Sequence, residues 1–245
     1  MKGRGFYYAF LLEAYYHAKL FYEKRNIDME RNVSREIFDI IMKKLPKEWD
    51  GKQSILFMKD NGCSNWRQME WPGWYFQFMC ERILEENNYF KIPGPAYGNV
   101  EFDGFKSIPW DFKAHSSTLG NKVPTNGYVE VQAALEDYGE VGFIIACGEI
   151  ELDDENQSFK KWHDNLKGKT SLYELQRIER GAPSRRRKVK FILKRIEFVF
   201  VNNSNLSTCG SFQGGMRNSD GSPRNPKVML DLENKYLEKH VYEVK

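Results

Sequence analysis

An aspartate and a lysine two positions apart, Asp111 and Lys113, sit in the segment Val100-Glu-Phe-Asp-Gly-Phe-Lys-Ser-Ile-Pro-Trp-Asp-Phe-Lys-Ala-His115. Side chains two apart on a strand leave from the same face. A strand over 108–114 therefore presents Asp111 and Lys113 together, toward solvent or a metal, and turns Trp110, Phe112 and Ala114 to a face that can pack on a helix. Asp103 precedes Gly104, where the backbone can turn, so a hairpin of 100–105 with 108–114 brings a second carboxylate beside Asp111. Two hard oxygen ligands on rigid strands suit Mg2+, which keeps several waters and takes one or two carboxylates plus phosphate oxygens. An ammonium two residues on can orient or activate the attacking water and offset charge developing on phosphate. The trio points to phosphodiester hydrolysis. An Asp-x-Lys triplet alone has little specificity, because charges alternate on many exposed strand faces. The glycine-flanked aspartate, the aromatic opposite face and the basic segments downstream add to it.

The elements that must position this trio follow from periodicity. Apolar residues at helical spacing predict helices over 6–25, from an N-cap at Ser34 to about Leu45 before Pro46, and from Trp71-Pro-Gly-Trp74 to about Asn88. Pro93-Gly-Pro95 then breaks the helical pattern, and strands are expected over 100–105 and 108–114. A polar loop with Asn121 and Pro124 leads to an amphipathic helix over 129–138 and a buried strand over 141–147. Beyond it come a charged helical region over 159–180, a basic strand over 188–202, a polar Gly/Asn/Ser segment over 203–227, and a closing helix or strand over 231–244. The expected organisation is a helical N-terminal region (1–70), a core (71–180) and a basic, β-rich C-terminal segment (181–245), within one compact unit.

Charge is distributed unevenly along a chain whose net charge is only +3. Residues 149–155 carry five acids and no base, whereas 180–195 carry eight bases and no acid. Arg185, Arg186, Arg187 and Lys188 fit a segment that contacts phosphates, since guanidinium forks pair bidentately with phosphate oxygens; a charged strand edge guarding against aggregation is the alternative. Gln213, Arg217, Asn218, Arg224 and Lys227 lie on a segment too long for an ordinary connection, and offer Arg for guanine edges and Asn or Gln for adenine edges. His115 either assists at a metal or phosphate, or is a satisfied structural histidine at the strand end.

The order helix, strand, strand, helix, strand over 71–148, together with Asp103, Asp111 and Lys113, resembles the PD-(D/E)XK nuclease superfamily of type II restriction endonucleases. In that family the first acid lies on one strand, and the second acid and the lysine lie on the next. Asp103 stands at the first acid, Asp111 at the second and Lys113 at the lysine. The chain departs from the pattern in the short gap between its acids and in Phe102 where the motif has proline; prolines fall instead at Pro93, Pro95 and Pro109. The resemblance implies an α/β chain of the α+β kind, with a central mixed sheet flanked by helices. It implies Mg2+ held by Asp103, Asp111 and the main-chain carbonyl of Phe112. A further carboxylate comes from Glu81, or from Glu70, in the preceding helix, unless Gln77 orients a ligand there. The implied substrate is double-stranded DNA, and a palindromic site would favour a twofold dimer.

Composition excludes several other classes. No stretch approaches the length of a membrane span, and Glu13 interrupts the apolar start, with no small-x-small cleavage site after it. Cys63, Cys80, Cys147 and Cys209 form no CxxC pair and no metal spacing with His17, His115, His163 or His240, and read as reduced thiols of a cytoplasmic protein. No Walker loop, GxSxG elbow or HExxH helix occurs. The competing readings are a structure-selective or repair nuclease with the same site, and a non-catalytic nucleic-acid-binding module in which Asp111 and Lys113 form a surface ion pair. A carboxylate-pair glycosidase leaves Lys113 and the basic segments without a role.

Overall fold

The computed structural model describes residues 32–168, 170, 172–215, 222–223 and 225–245, so the helix expected over 6–25 lies outside the described residues. Helix α1 (32–42) is followed by β1 (Glu48–Asp50), α2 (Gly51–Asp60) and a 3-10 turn at Ser64–Arg67. Helix α3 spans Trp71–Glu86, with Pro72 in the first turn, where its missing N–H costs nothing. Its buried residues, Trp71, Tyr75, Phe76, Cys80, Ile83 and Leu84, recur three to five apart and make one stripe. The short strands β2 (Ala96–Tyr97) and β3 (Val100–Glu101) precede the hairpin of β4 (Gly104–Lys106) and β5 (Ile108–Ser116). There follow β6 (Lys122–Gly127), α4 (Tyr128–Tyr138), β7 (Glu140–Leu152), α5 (Ser158–Lys167), α6 (Leu172–Glu179), β8 (Lys188–Asn202), β9 (Gly210–Gln213), β10 (Lys227–Asp231) and β11 (Glu238–Glu243).

The main sheet is mixed, in the order β1-β8-β7-β5-β4, with β11 also pairing β8; β5 and β7 run parallel and the other pairs are antiparallel. Both faces are covered, which is why Val141–Cys147 is a near-continuous apolar run. On one face Trp110, Phe112, Ile144, Ala146 and Phe198 pack with α1, α2 and α3. On the other, Phe143, Ile145, Cys147 and Val199 pack under α4 and a second sheet, β6-β10-β9. The stretches 1–70, 71–180 and 181–245 interleave here, since β1 and β8 sit in one sheet with β5 and β7.

Four local expectations are corrected. Residues 100–105 are two short strands: Phe102 is fully buried, exchanges backbone bonds with Gly94 and Pro95, and breaks the run, so only Gly104–Lys106 pairs with β5. Ser34 lies inside α1, where its hydroxyl meets His240 Nδ1 at 3.0 Å instead of capping the helix. The expected loop before α4 is strand β6, paired with β10 about a hundred positions away, and the polar segment 203–227 contains β9. Of the two forms open for 231–244, the chain adopts a strand, β11.

The site strand β5 is seated by one aromatic contact. Trp110 lies opposite Gly142 of β7, is almost fully buried, and packs edge-on against Phe198 and Phe200 at 6.4 and 5.6 Å between centroids. A Cβ on Gly142 would come 2.4 Å from Cε3 of that indole. Gly142→Ala is therefore expected to lower stability by about 2–3 kcal/mol, since a packed core cannot absorb the overlap. Urea unfolding checks this, and an unchanged midpoint would show that Trp110 moves without cost.

Candidate active site

Asp103 lies in the bend before β4, and Asp111 and Lys113 project from one face of β5. The Phe112 backbone N–H donates to Asp103 Oδ2 at 2.6 Å, fastening the first acid beside the strand that carries the second. Within an extended strand one residue's N–H and C=O point the same way, so the Phe112 carbonyl faces the Asp103 edge as well. Asp111 is 2% exposed and pairs with the Lys113 ammonium. Of the two surroundings expected for these side chains, solvent or a metal, open solvent is not what Asp111 meets: it is buried beside its neighbour, with the Lys113 side chain 28% exposed.

Burial raises Asp103 well above the ordinary carboxylate range, the charge of Asp111 pushes the same way, and Lys113 and the Phe112 N–H offset part of this. Glu81, on α3, adds to that push and is itself raised by burial, while Gln77 Nε2 donates to its Oε1 at 2.8 Å. Burial works against the charge on Lys113, but the two aspartates outweigh it and leave the ammonium more firmly protonated than usual. The acids outnumber the lysine that holds them. Glu70, the other candidate, directly precedes this helix and pairs with Lys188.

No family model, curated protein or solved structure matches this chain. The site is therefore judged on its own donors. Excess negative charge on oxygen-only ligands is what a hard divalent cation relieves, and Mg2+ needs few protein ligands because it keeps its waters. No cluster of three or more His, Cys, Asp or Glu suited to a metal occurs among the described residues. The donor set thus fits an ion that draws on two carboxylates and a carbonyl, and does not resemble an all-protein cage.

The remaining candidates disperse. His115, third on the Asp111 face, donates from Nε2 to the Gly120 carbonyl at 2.6 Å, and burial lowers its pKa, so the ring is held as a neutral structural donor. Of the four bases 185–188, Arg186 donates to the Asp153 carbonyl, Lys188 pairs with Glu70, Arg187 is buried and Arg185 is exposed. Gln213 and Lys227 lie opposite one another on β9 and β10, in the sheet roofing the Asp111 face. Arg217, Asn218 and Arg224 lie outside the described residues. Passed over in the sequence was buried Glu197 on β8, which accepts from Arg195 at 2.7 Å and Lys239 at 2.8 Å; the alternating Arg-x-Glu of 195–197 was its one signal.

Cation and proton compete for the same oxygens, so divalent-ion affinity is expected to climb with pH across the raised range in which Asp103 and Glu81 lose their protons. Calcium titrations at about pH 5.5 and about pH 8 measure this by calorimetry. Equal affinities at the two would remove these carboxylates from the metal site.

Proposed function

We propose that this chain is a magnesium-dependent endonuclease of the PD-(D/E)XK type that cuts double-stranded DNA at a specific sequence, as a restriction enzyme does. The observation that carries the reading is the bond from the Phe112 N–H to Asp103, which sets one carboxylate beside a strand bearing Asp111 and Lys113. Burial of Asp111 argues against a solvent-screened surface pair, the arrangement that a non-catalytic module would have. Asp103, Asp111 and the Phe112 carbonyl would hold the ion. When bound, magnesium supplies Lewis-acid charge at the scissile phosphate. Lys113, kept protonated by the aspartates, is suited to steady the attacking water and the phosphate oxygens. Glu81 completes the acidic set from α3. Recognition is assigned to the β9–β10 sheet and segment 203–227, with Gln213 and Lys227 on the side of the main sheet from which Asp111 projects. A palindromic target would be met by a twofold pair of chains.

Incubation with long unmethylated DNA and Mg2+ tests the whole reading: discrete fragments are expected, and intact DNA with every divalent ion would end it. Asp111→Asn is expected to cut roughly a thousandfold more slowly with stability retained, because it removes one of two acids that repel each other. Lys113→Met should also lose cleavage but cost about 2 kcal/mol, since it leaves both acids uncompensated in a partly exposed site. Cleavage and urea unfolding of each variant separate the two roles; wild-type rates in both would remove the site. Calcium in place of magnesium is expected to support DNA binding in gel shifts with little cutting, and full activity in a chelator would exclude metal assistance.

A further inference from the structure

At the end of β8 remote from Asp111 the structure holds a cavity of about 790 Å³, lined by Arg67, Lys167, Arg177, Arg180, Arg185 and Arg187. Asp111 is in register with Phe143 and Leu152 with Lys188, nine positions apart on β7, so the cavity lies roughly 30 Å from the carboxylates. Its two acids are already engaged: Asp164 by Lys160 and Lys167 at 2.8 and 3.3 Å, and Glu174 by Lys160 and Arg177 at 3.1 and 2.8 Å. Arg67 lies over the Trp66 ring, its guanidinium carbon 4.4 Å from the centroid. Arg187 is 7% exposed, and its Nε and Nη1 are buried with no hydrogen-bond partner among the described residues. Such a group is costly to bury unless something completes its bonds. Nearby, His163 bonds the Trp66 carbonyl at 2.9 Å and is pushed down to about 4 by burial and then by the charges of Lys167 and, more weakly, Arg187.

We infer that this cavity binds a phosphate group, drawn by the inward-turned Arg187 with Arg185 and Arg67 beside it. The buried Nε and Nη1 of Arg187 lack an acceptor, phosphate oxygens are acceptors of the matching charge, and the surplus of bases around the cavity supplies the attraction. The volume suits a small ligand such as a mononucleotide. A phosphorylated DNA end carries the same chemistry. The inference does not depend on the nuclease reading, because it concerns binding away from the carboxylates.

Titration calorimetry and thermal unfolding at constant ionic strength test it on the full chain. Inorganic phosphate is expected to bind and raise the melting temperature, whereas chloride at matched ionic strength does not. Arg187→Met should weaken phosphate binding about tenfold to a hundredfold, with unliganded stability kept or raised, because the substitution removes an unpaired buried charge. Arg185→Ala, at an exposed position, should fold normally and weaken binding several-fold. The source of the phosphate is read by a nucleoside 5′-monophosphate against its nucleoside, and by 5′-phosphorylated against 5′-hydroxyl duplexes. Preference for the phosphorylated member of either pair supports the site and names its ligand. Equal effects of chloride and phosphate, or wild-type phosphate affinity in both arginine variants, would overturn it. Asp111→Asn should bind phosphate normally, so failure of the nuclease reading would leave this result untouched.

Discussion

Strand β5 is covered on both faces, and that constraint governs the site. Trp110 and Phe112 are buried on one side, but Asp111, Lys113 and His115 must leave from the other, where α4 and the β6-β10-β9 sheet bury Asp111 and His115 and leave Lys113 only partly exposed. Each has to find a partner within reach. Asp111 takes Lys113, and His115 takes the Gly120 carbonyl. The backbone donor freed where β4 stops pairing takes Asp103. The carboxylate pair is thus a product of the hairpin's early ending as much as of the residues themselves.

That solution is electrostatically incomplete. Asp103 and Glu81 are raised by burial and by neighbouring acids, and Lys113 alone does not restore balance. A structural ion network looks different, as the same face shows: buried Glu197 has Arg195 on one oxygen and Lys239 on the other. The contrast between a satisfied acid and an under-compensated pair on one sheet face is the physical argument for a cation at the second. Proteins hold such frustration where function needs it.

A similar contrast divides the basic run. Arg186 and Lys188 are consumed by the fold, bonding the Asp153 carbonyl and Glu70, while Trp71 Nε1 donates to the Lys188 carbonyl and ties α3 to the same strand. Arg187 is turned inward with unused donors. Consecutive bases that look alike in composition therefore differ in what they have left to offer a ligand.

Periodicity alone marked α3, α4, β5, β7 and β8, because each carries its burial pattern within its own residues: an apolar stripe at helical spacing, or a covered strand. The shared face of Asp111 and Lys113, and the apolar face of Trp110 and Phe112, were legible for the same reason. The break at Phe102, the pairing of β6 with β10 and the choice of β11 as a strand were not, since each depends on partners distant in the chain. Glu81, Glu70 and Gln77 were equivalent by spacing; it is the fold that pairs Glu70 with Lys188 and brings Glu81 close enough to influence Asp103. The arginine cavity was signalled only by the basic run 185–188, and its closure was not legible, because Arg67 and Arg177 come from separate elements that meet Arg187 only in the folded chain. Local spacing determines which face a side chain leaves from; only tertiary packing determines whether that face meets water, a counter-charge or an unfilled hollow.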